Sequence, residues 1–202
     1  MKNSLKILFG ICFGIILISN LLLIWKTKGG LKSENYDKME SAIMTQSITD
    51  LMRNDGLDLK NIFLRDILSH DVIDPNVLFP DGIDRILVCR ISQYYCQSCI
   101  GYAIEKAIRI KNDSIIDMPL VILGSYQNDL SLKIISDSHS KCDSLKYYNI
   151  TELNLPIEEH GYPYYMVVDR DLKVCDVFTP NKSYPKFTDQ YFKLVSDKWN
   201  SR

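Results

Sequence analysis

Two of the six cysteines in this 202-residue chain, Cys96 and Cys99 in the run Tyr95-Cys96-Gln97-Ser98-Cys99-Ile100, stand at a spacing that can do chemistry. Thiols separated by two residues can close a small disulfide ring and reopen it by exchange with another thiol or disulfide. The same spacing is half of a zinc site, and His139-Ser140-Lys141-Cys142 offers a second half, so Cys96, Cys99, His139 and Cys142 form a candidate Cys3His set. The other groups have plainer readings. Cys89 and Cys175 fall in apolar runs and read as small core residues, and Cys12 as an apolar residue inside a hydrophobic segment. His70 and His139 read as solvated, and the adjacent Glu158, Glu159 and His160 read as a loop, because neighbours in sequence do not converge on one site.

The elements that must position the pair can be read from hydrophobic pattern. Ile86-Leu87-Val88-Cys89-Arg90-Ile91 is an apolar run of strand length. After the cysteines, Ile100, Ala103, Ile104, Ala107 and Ile108 recur at helical spacing, with Glu105, Lys106 and Arg109 on the other side. The pair therefore sits at a strand-to-helix junction. Cys96 falls at the helix N-terminus, where unpaired N–H groups and the helix dipole hold a thiolate below its free pKa of roughly 8.5. It is the expected nucleophile. Cys99, one turn inside on the side continued by Ala103 and Ala107, is the expected resolving thiol.

Further along, Pro119 to Gly124 reads as a second buried strand. Tyr164 to Val168 and Leu172 to Phe178 read as a hairpin around Asp169-Arg170-Asp171. Phe187 to Trp199 has the spacing of a final amphipathic helix. A strand, helix and parallel strand followed by an antiparallel hairpin predict an α/β fold with a mixed sheet covered on both faces. Before these, residues from about Asn35 to Arg53 place Tyr36, Met39, Ile43, Ile48, Leu51 and Met52 near one helix face. That helix is a stalk or packs on the main domain. Residues 54–82 and 126–155 carry mixed signals without clear boundaries.

Leu5 to Trp25 is almost wholly apolar, with Lys2, Lys6, Lys26 and Lys28 around it. At about 1.5 Å per residue it reaches the roughly 30 Å of a bilayer core. No Ala-x-Ala-like site follows, so it reads as an uncleaved anchor. The short N-terminal flank places residues 1–4 in the cytoplasm and the bulk of the chain outside it, in the periplasm or at the cell exterior. Paired cysteines can work as redox partners there. A formal net charge of -1 and a pI of about 6.3 give no basic stripe, which argues against nucleic acid. No phosphate-binding glycine loop or Ser/His/Asp constellation stands out, and no cofactor is implied.

Taken together, Cys96-Gln97-Ser98-Cys99 after an apolar strand, and Gly161-Tyr162-Pro163-Tyr164 opening the hairpin, resemble the thioredoxin-like superfamily over about residues 84–200. The likeness is to its membrane-anchored extracytoplasmic TlpA/ResA-like, redoxin-type branch. The resemblance implies a thioredoxin-like domain over 83–202, behind an anchor (5–25) and a stalk or N-terminal extension (26–82). It implies a thiol–disulfide oxidoreductase that reduces disulfides of exported proteins, or acts in cytochrome maturation, with a membrane electron donor or acceptor upstream. It also implies that Pro163 is cis and lies against the cysteine pair, with the backbone of Tyr162 pairing with bound substrate. Departures from the pattern are the Gln97-Ser98 dipeptide, Tyr95 in place of a tryptophan, and Arg90 where thioredoxins bury an acid that helps deprotonate the resolving thiol. A cation near the site would favour thiolates instead. The competing readings are a non-catalytic module of the same fold with a structural disulfide, the zinc set above, and a copper site with His160 as third ligand.

Overall fold

The computed structural model describes residues 37–59, 62–139 and 145–199. The chain divides into two compact units, Met1–Gln46 and Ser47–Arg202. In the first, residues 37–46 are helical. The expected anchor lies outside the described residues, and among these no helix is long and apolar enough to cross a membrane.

The second unit is built on β3 (Arg85–Ser92), the predicted apolar strand. It pairs in parallel with β4 (Leu120–Ser125) on one edge and antiparallel with β6 (Tyr164–Asp169) on the other. A strand covered on both faces reads as a nearly continuous apolar run, which is why this segment is hydrophobic throughout. Leu87, Cys89 and Ile91 face one core, shared with α2 (Gln97–Asn112) and α4 (Pro185–Trp199). Ile86 and Val88 face the other, beneath Leu153, Leu155 and Ile157. Between β4 and β5 (Lys146–Ile150) runs α3 (Asp129–Ser138), and β7 (Val174–Phe178) completes the hairpin with β6. With the short β1 (Leu64–Asp66) and β2 (Val72–Ile73), the sheet order is β2-β1-β5-β4-β3-β6-β7. This mixed sheet, with strand, helix, parallel strand and terminal hairpin in that order, is a thioredoxin-like α/β fold.

Hydrophobic pattern left the short β1 and β2, α3 and β5 without boundaries, and it gave the wrong packing face for the N-terminal helix. Strand β5 is the polar-looking Lys-Tyr-Tyr-Asn-Ile, and its Asn149 is buried because its amide replaces a backbone partner: Oδ1 accepts from Tyr126 N, and Nδ2 donates to Tyr126 O, both at 3.0 Å. The helix over 47–54, α1, exists where an amphipathic helix was expected, but it packs by a different face. Asp50 and Asn54 are buried whereas Ile48 and Met52 are exposed. The polar side wins because it supplies hydrogen bonds: Asn54 Oδ1 accepts from Ile157 N at 3.2 Å, and Asp50 Oδ1 lies 2.9 Å from His160 Nε2. Helix α4 begins at Pro185, just before the expected Phe187, because proline suits a first helical position.

The crossover from β5 to β6 is anchored by one buried ion pair. Arg90 is 1% exposed, and its Nε donates to Glu158 Oε1 at 2.8 Å. The other Glu158 oxygen accepts from Leu153 N and Asn154 N, both at 3.0 Å. Removing one partner strands the other charge, so Arg90→Met is expected to lower stability by about 3–5 kcal/mol. Chemical denaturation checks this, and the Arg90→Met/Glu158→Gln double variant should recover part of the loss.

Candidate functional site

Strand β3 reaches the site by a short, fully bonded turn. Gln93 N donates to Ser125 O and Tyr95 N to Ser92 O, each at 3.0 Å. Cys96 is then the N-cap of α2, with φ −55° and ψ 112°, and its side chain makes no capping bond. Its carbonyl accepts from Cys99 N at 2.9 Å and Ile100 N at 3.0 Å, which sets Cys99 one turn inside. Tyr165, on the neighbouring strand, donates to Ala103 O at 2.6 Å and fixes the helix against the sheet.

Both cysteines are free thiols with unequal surroundings. Hydrogen bonds from the Cys99 side chain, the Ser98 hydroxyl and the Cys99 backbone, with the charge of Lys182, bring the Cys96 thiol down from an ordinary 9.0 to about 7. Burial, then its hydrogen bond to Cys96 and the charge on that sulfur, push Cys99 up. Ser98 Oγ lies 3.4 Å from Cys96 Sγ and accepts from Lys182 Nζ at 2.7 Å. The two thiols are therefore made unequal by more than the helix terminus.

Arg90 is not the cation that acts on the pair. Its guanidinium is committed to Glu158, to the carbonyls of Ile91 and Leu123, and to that of Thr151. It lines a separate cleft of about 520 Å³ with Tyr94, Tyr95, Glu152 and Glu159. The cation at the thiols is Lys182, which sequence reasoning missed. Strand direction could have found it: β6 runs antiparallel to β3 and β7 antiparallel to β6, so the turn after β7 emerges at the same end of the sheet as the cysteines.

Strand direction also places Tyr162 and Pro163 at that end. The β3–β6 ladder ends at Arg90↔Tyr164, so Pro163 is the next residue beyond it; it is buried, and Tyr162 is exposed. No cis peptide bond occurs among the described residues, so the Tyr162–Pro163 bond is trans and the cis expectation is corrected. The tertiary amide leaves trans favoured by about 0.5–1 kcal/mol unless contacts reverse it.

The candidate metal ligands are not brought together where they can be followed. Among the described residues no group of three or more His, Cys, Asp or Glu could hold an ion. His160 Nε2 faces Asp50, and His139 Nδ1 lies 2.9 Å from Ile135 O. Cys142 lies outside the described residues. Cys89 is fully buried, which pushes its thiol far up, and Cys175 is half-buried and also raised.

No family model and no curated protein matches the chain. Among solved structures it is similar to a thioredoxin-like protein from Porphyromonas gingivalis, with a TM-score of 0.48 and 13% identity over 72% of this chain and 96% of that one. It is also similar to BsSco, a member of the Sco family of cytochrome c oxidase assembly proteins in which a disulfide switch was identified, with a TM-score of 0.46 and 12% identity over 68% of this chain and 93% of that one. A SCO1/SenC family lipoprotein from Bacillus anthracis gives a TM-score of 0.46 and 12% identity over 69% and 96%.

The inequality of the thiols sets an expected order of reactivity. In the reduced native protein, iodoacetamide should modify Cys96 first, with a rate that rises through a midpoint near pH 7 as the thiolate forms. Cys99 should react more slowly, and Cys89 only on unfolding. Peptide mass analysis across pH reads all three.

Proposed function

We propose that this chain is a thiol–disulfide oxidoreductase of the membrane-anchored TlpA/ResA-like type, and that Cys96 and Cys99 are its reacting pair. The observation that carries this reading is the half-buried Cys96 thiol lowered to about 7 at the start of α2, beside a raised Cys99. A thiolate available near neutral pH attacks disulfides, and a neighbouring protonated thiol one turn away is held in reserve.

In the reductive direction, Cys96 thiolate attacks one sulfur of a substrate disulfide. The substrate S–S bond breaks, a mixed disulfide forms at Cys96, and the departing substrate thiolate takes up a proton. Cys99 then loses its proton and attacks Cys96 Sγ. The Cys96–Cys99 bond forms and the second substrate thiolate leaves. Two electrons have passed from the dithiol to the substrate, and an upstream membrane donor must return them. Tyr162 and Pro163, at the same end of the sheet, would border the substrate segment. The anchor over Leu5–Trp25 would hold the domain at the outer face of the cytoplasmic membrane, where exported proteins carry disulfides.

The test is a trap. With Cys99→Ser the mixed disulfide at Cys96 cannot resolve, so non-reducing electrophoresis should show adducts of exported proteins that a dithiol releases. Cys96→Ser should show none. If Cys99→Ser formed no adducts and the purified wild-type protein neither exchanged with a dithiol nor reduced insulin, the proposal would fail in favour of a binding module. Protease added to the outer face of intact cells should digest the domain if the orientation is right.

A further inference from the structure

Ser98, in the first turn of α2, and Lys182, in the turn after β7, come from separate elements and meet at the nucleophile. Lys182 Nζ lies 2.7 Å from Ser98 Oγ, and Ser98 Oγ lies 3.4 Å from Cys96 Sγ. An ammonium donates hydrogen bonds and accepts none. Ser98 Oγ must therefore be the acceptor from Lys182, which leaves its only hydrogen for the sulfurs of the pair: Cys96 Sγ at 3.4 Å and, sharing the same hydroxyl, Cys99. A thiolate carries no hydrogen of its own, so the chain has one direction when Cys96 is charged: N–H of Lys182 to Ser98 oxygen, O–H of Ser98 to Cys96 sulfur. Each bond polarises the next, and both end on charged groups, where hydrogen bonds are strongest.

The turn is built to hold Lys182 in place. Asn181 Oδ1 accepts from Ser183 N at 2.9 Å, and Asn181 O accepts from Tyr184 N at 3.1 Å. Pro180 before it is buried, and Pro185 after it starts α4. These constraints restrict the backbone around Lys182.

We propose that Lys182 is a positioning residue that acts on Cys96 through Ser98, as a one-way hydrogen-bond relay that stabilises the nucleophile's thiolate. The proposal rests on the reading of Cys96 as the attacking thiol. Because the lysine comes from the turn after β7 and the serine from α2, the relay links the charge on Cys96 to the docking of that turn. When Cys96 is bonded to a substrate sulfur its charge is gone, and the same Ser98 hydrogen then faces a neutral sulfur. The relay therefore stabilises Cys96 as the attacking thiolate, and by the same interaction eases the reverse step, in which the substrate thiolate recaptures its sulfur and Cys96 leaves.

The experiment is the pH profile of Cys96 alkylation in the reduced full chain, resolved by peptide mass, for wild type, Ser98→Ala, Lys182→Met, Lys182→Arg and the Ser98→Ala/Lys182→Met double variant. Ser98 and Lys182 are both at the surface, and thermal melts confirm that each variant folds. Lys182→Met and Ser98→Ala should each move the midpoint up, and near pH 7 each should lower the Cys96 rate severalfold. The double variant should fall clearly short of the sum of the single effects, because removing the serine already cuts the relay and leaves only the direct charge of Lys182 to be lost, and Lys182→Arg should restore most of the wild-type profile. An unchanged midpoint in Lys182→Met, or single effects that add in full in the double variant, would overturn the relay. Insulin reduction by the wild-type protein is measured alongside: its absence counts against the oxidoreductase reading, whereas the alkylation profiles decide the relay independently.

Discussion

The central strand β3 constrains everything at the candidate site. It is hydrogen-bonded along both edges, in register with β4 from Leu87↔Leu120 to Ser92↔Ser125 and with β6 from Arg85↔Asp169 to Arg90↔Tyr164. Its side chains are buried on both faces. A strand held in this way cannot slip by one residue without turning its whole apolar set to the wrong side. Where it ends is therefore fixed, and so is where α2 begins. Cys96 becomes the helix N-cap because the sheet leaves no other place for it.

From that position the electrostatics follow. Two cations approach the end of β3, and the fold separates their functions. Arg90 points into the core on the side away from Cys89 and is neutralised by Glu158, so its charge holds the crossover in place. Lys182 comes from outside, on the turn after β7, and meets Ser98 at the thiols. The pair becomes unequal through hydrogen bonds before charge. Cys99 donates to Cys96 and is itself raised by burial, so one proton is kept on the inner sulfur and the outer one is readily lost.

Much of this was legible in the sequence where one physical signal dominated. Strand β3, strand β4, the hairpin β6–β7 and helices α2 and α4 are apolar runs or stripes whose burial is their main stabilising term. The positions of both cysteines, one at the helix start and one a turn inside, follow from a strand-to-helix junction. The signal failed where burial is polar. Asn149 in β5 and Asp50 and Asn54 in α1 look like surface residues, and each is buried by hydrogen bonds to backbone or side chains far along the chain. Arg90 and Glu158, 68 residues apart, carry the same lesson. Lys182 had no local signature at all, since its role depends on the direction of two strands. The cis bond implied for Pro163 came from resemblance alone, and the structure has it trans.

The account's central claim is that Cys96 and Cys99 form a reversible two-electron couple, and an equilibrium titration of the folded protein in dithiol–disulfide buffers tests it most directly. Quantified by mass and peptide mapping, the protein should show a single transition with a slope of about 30 mV per tenfold change in the oxidised-to-reduced ratio, as two electrons require. The product should be one disulfide, between Cys96 and Cys99, that returns to two thiols on reversal. If the two cysteines stay thiols throughout while the fold is intact, or if the disulfide formed joins other cysteines, the central claim is contradicted.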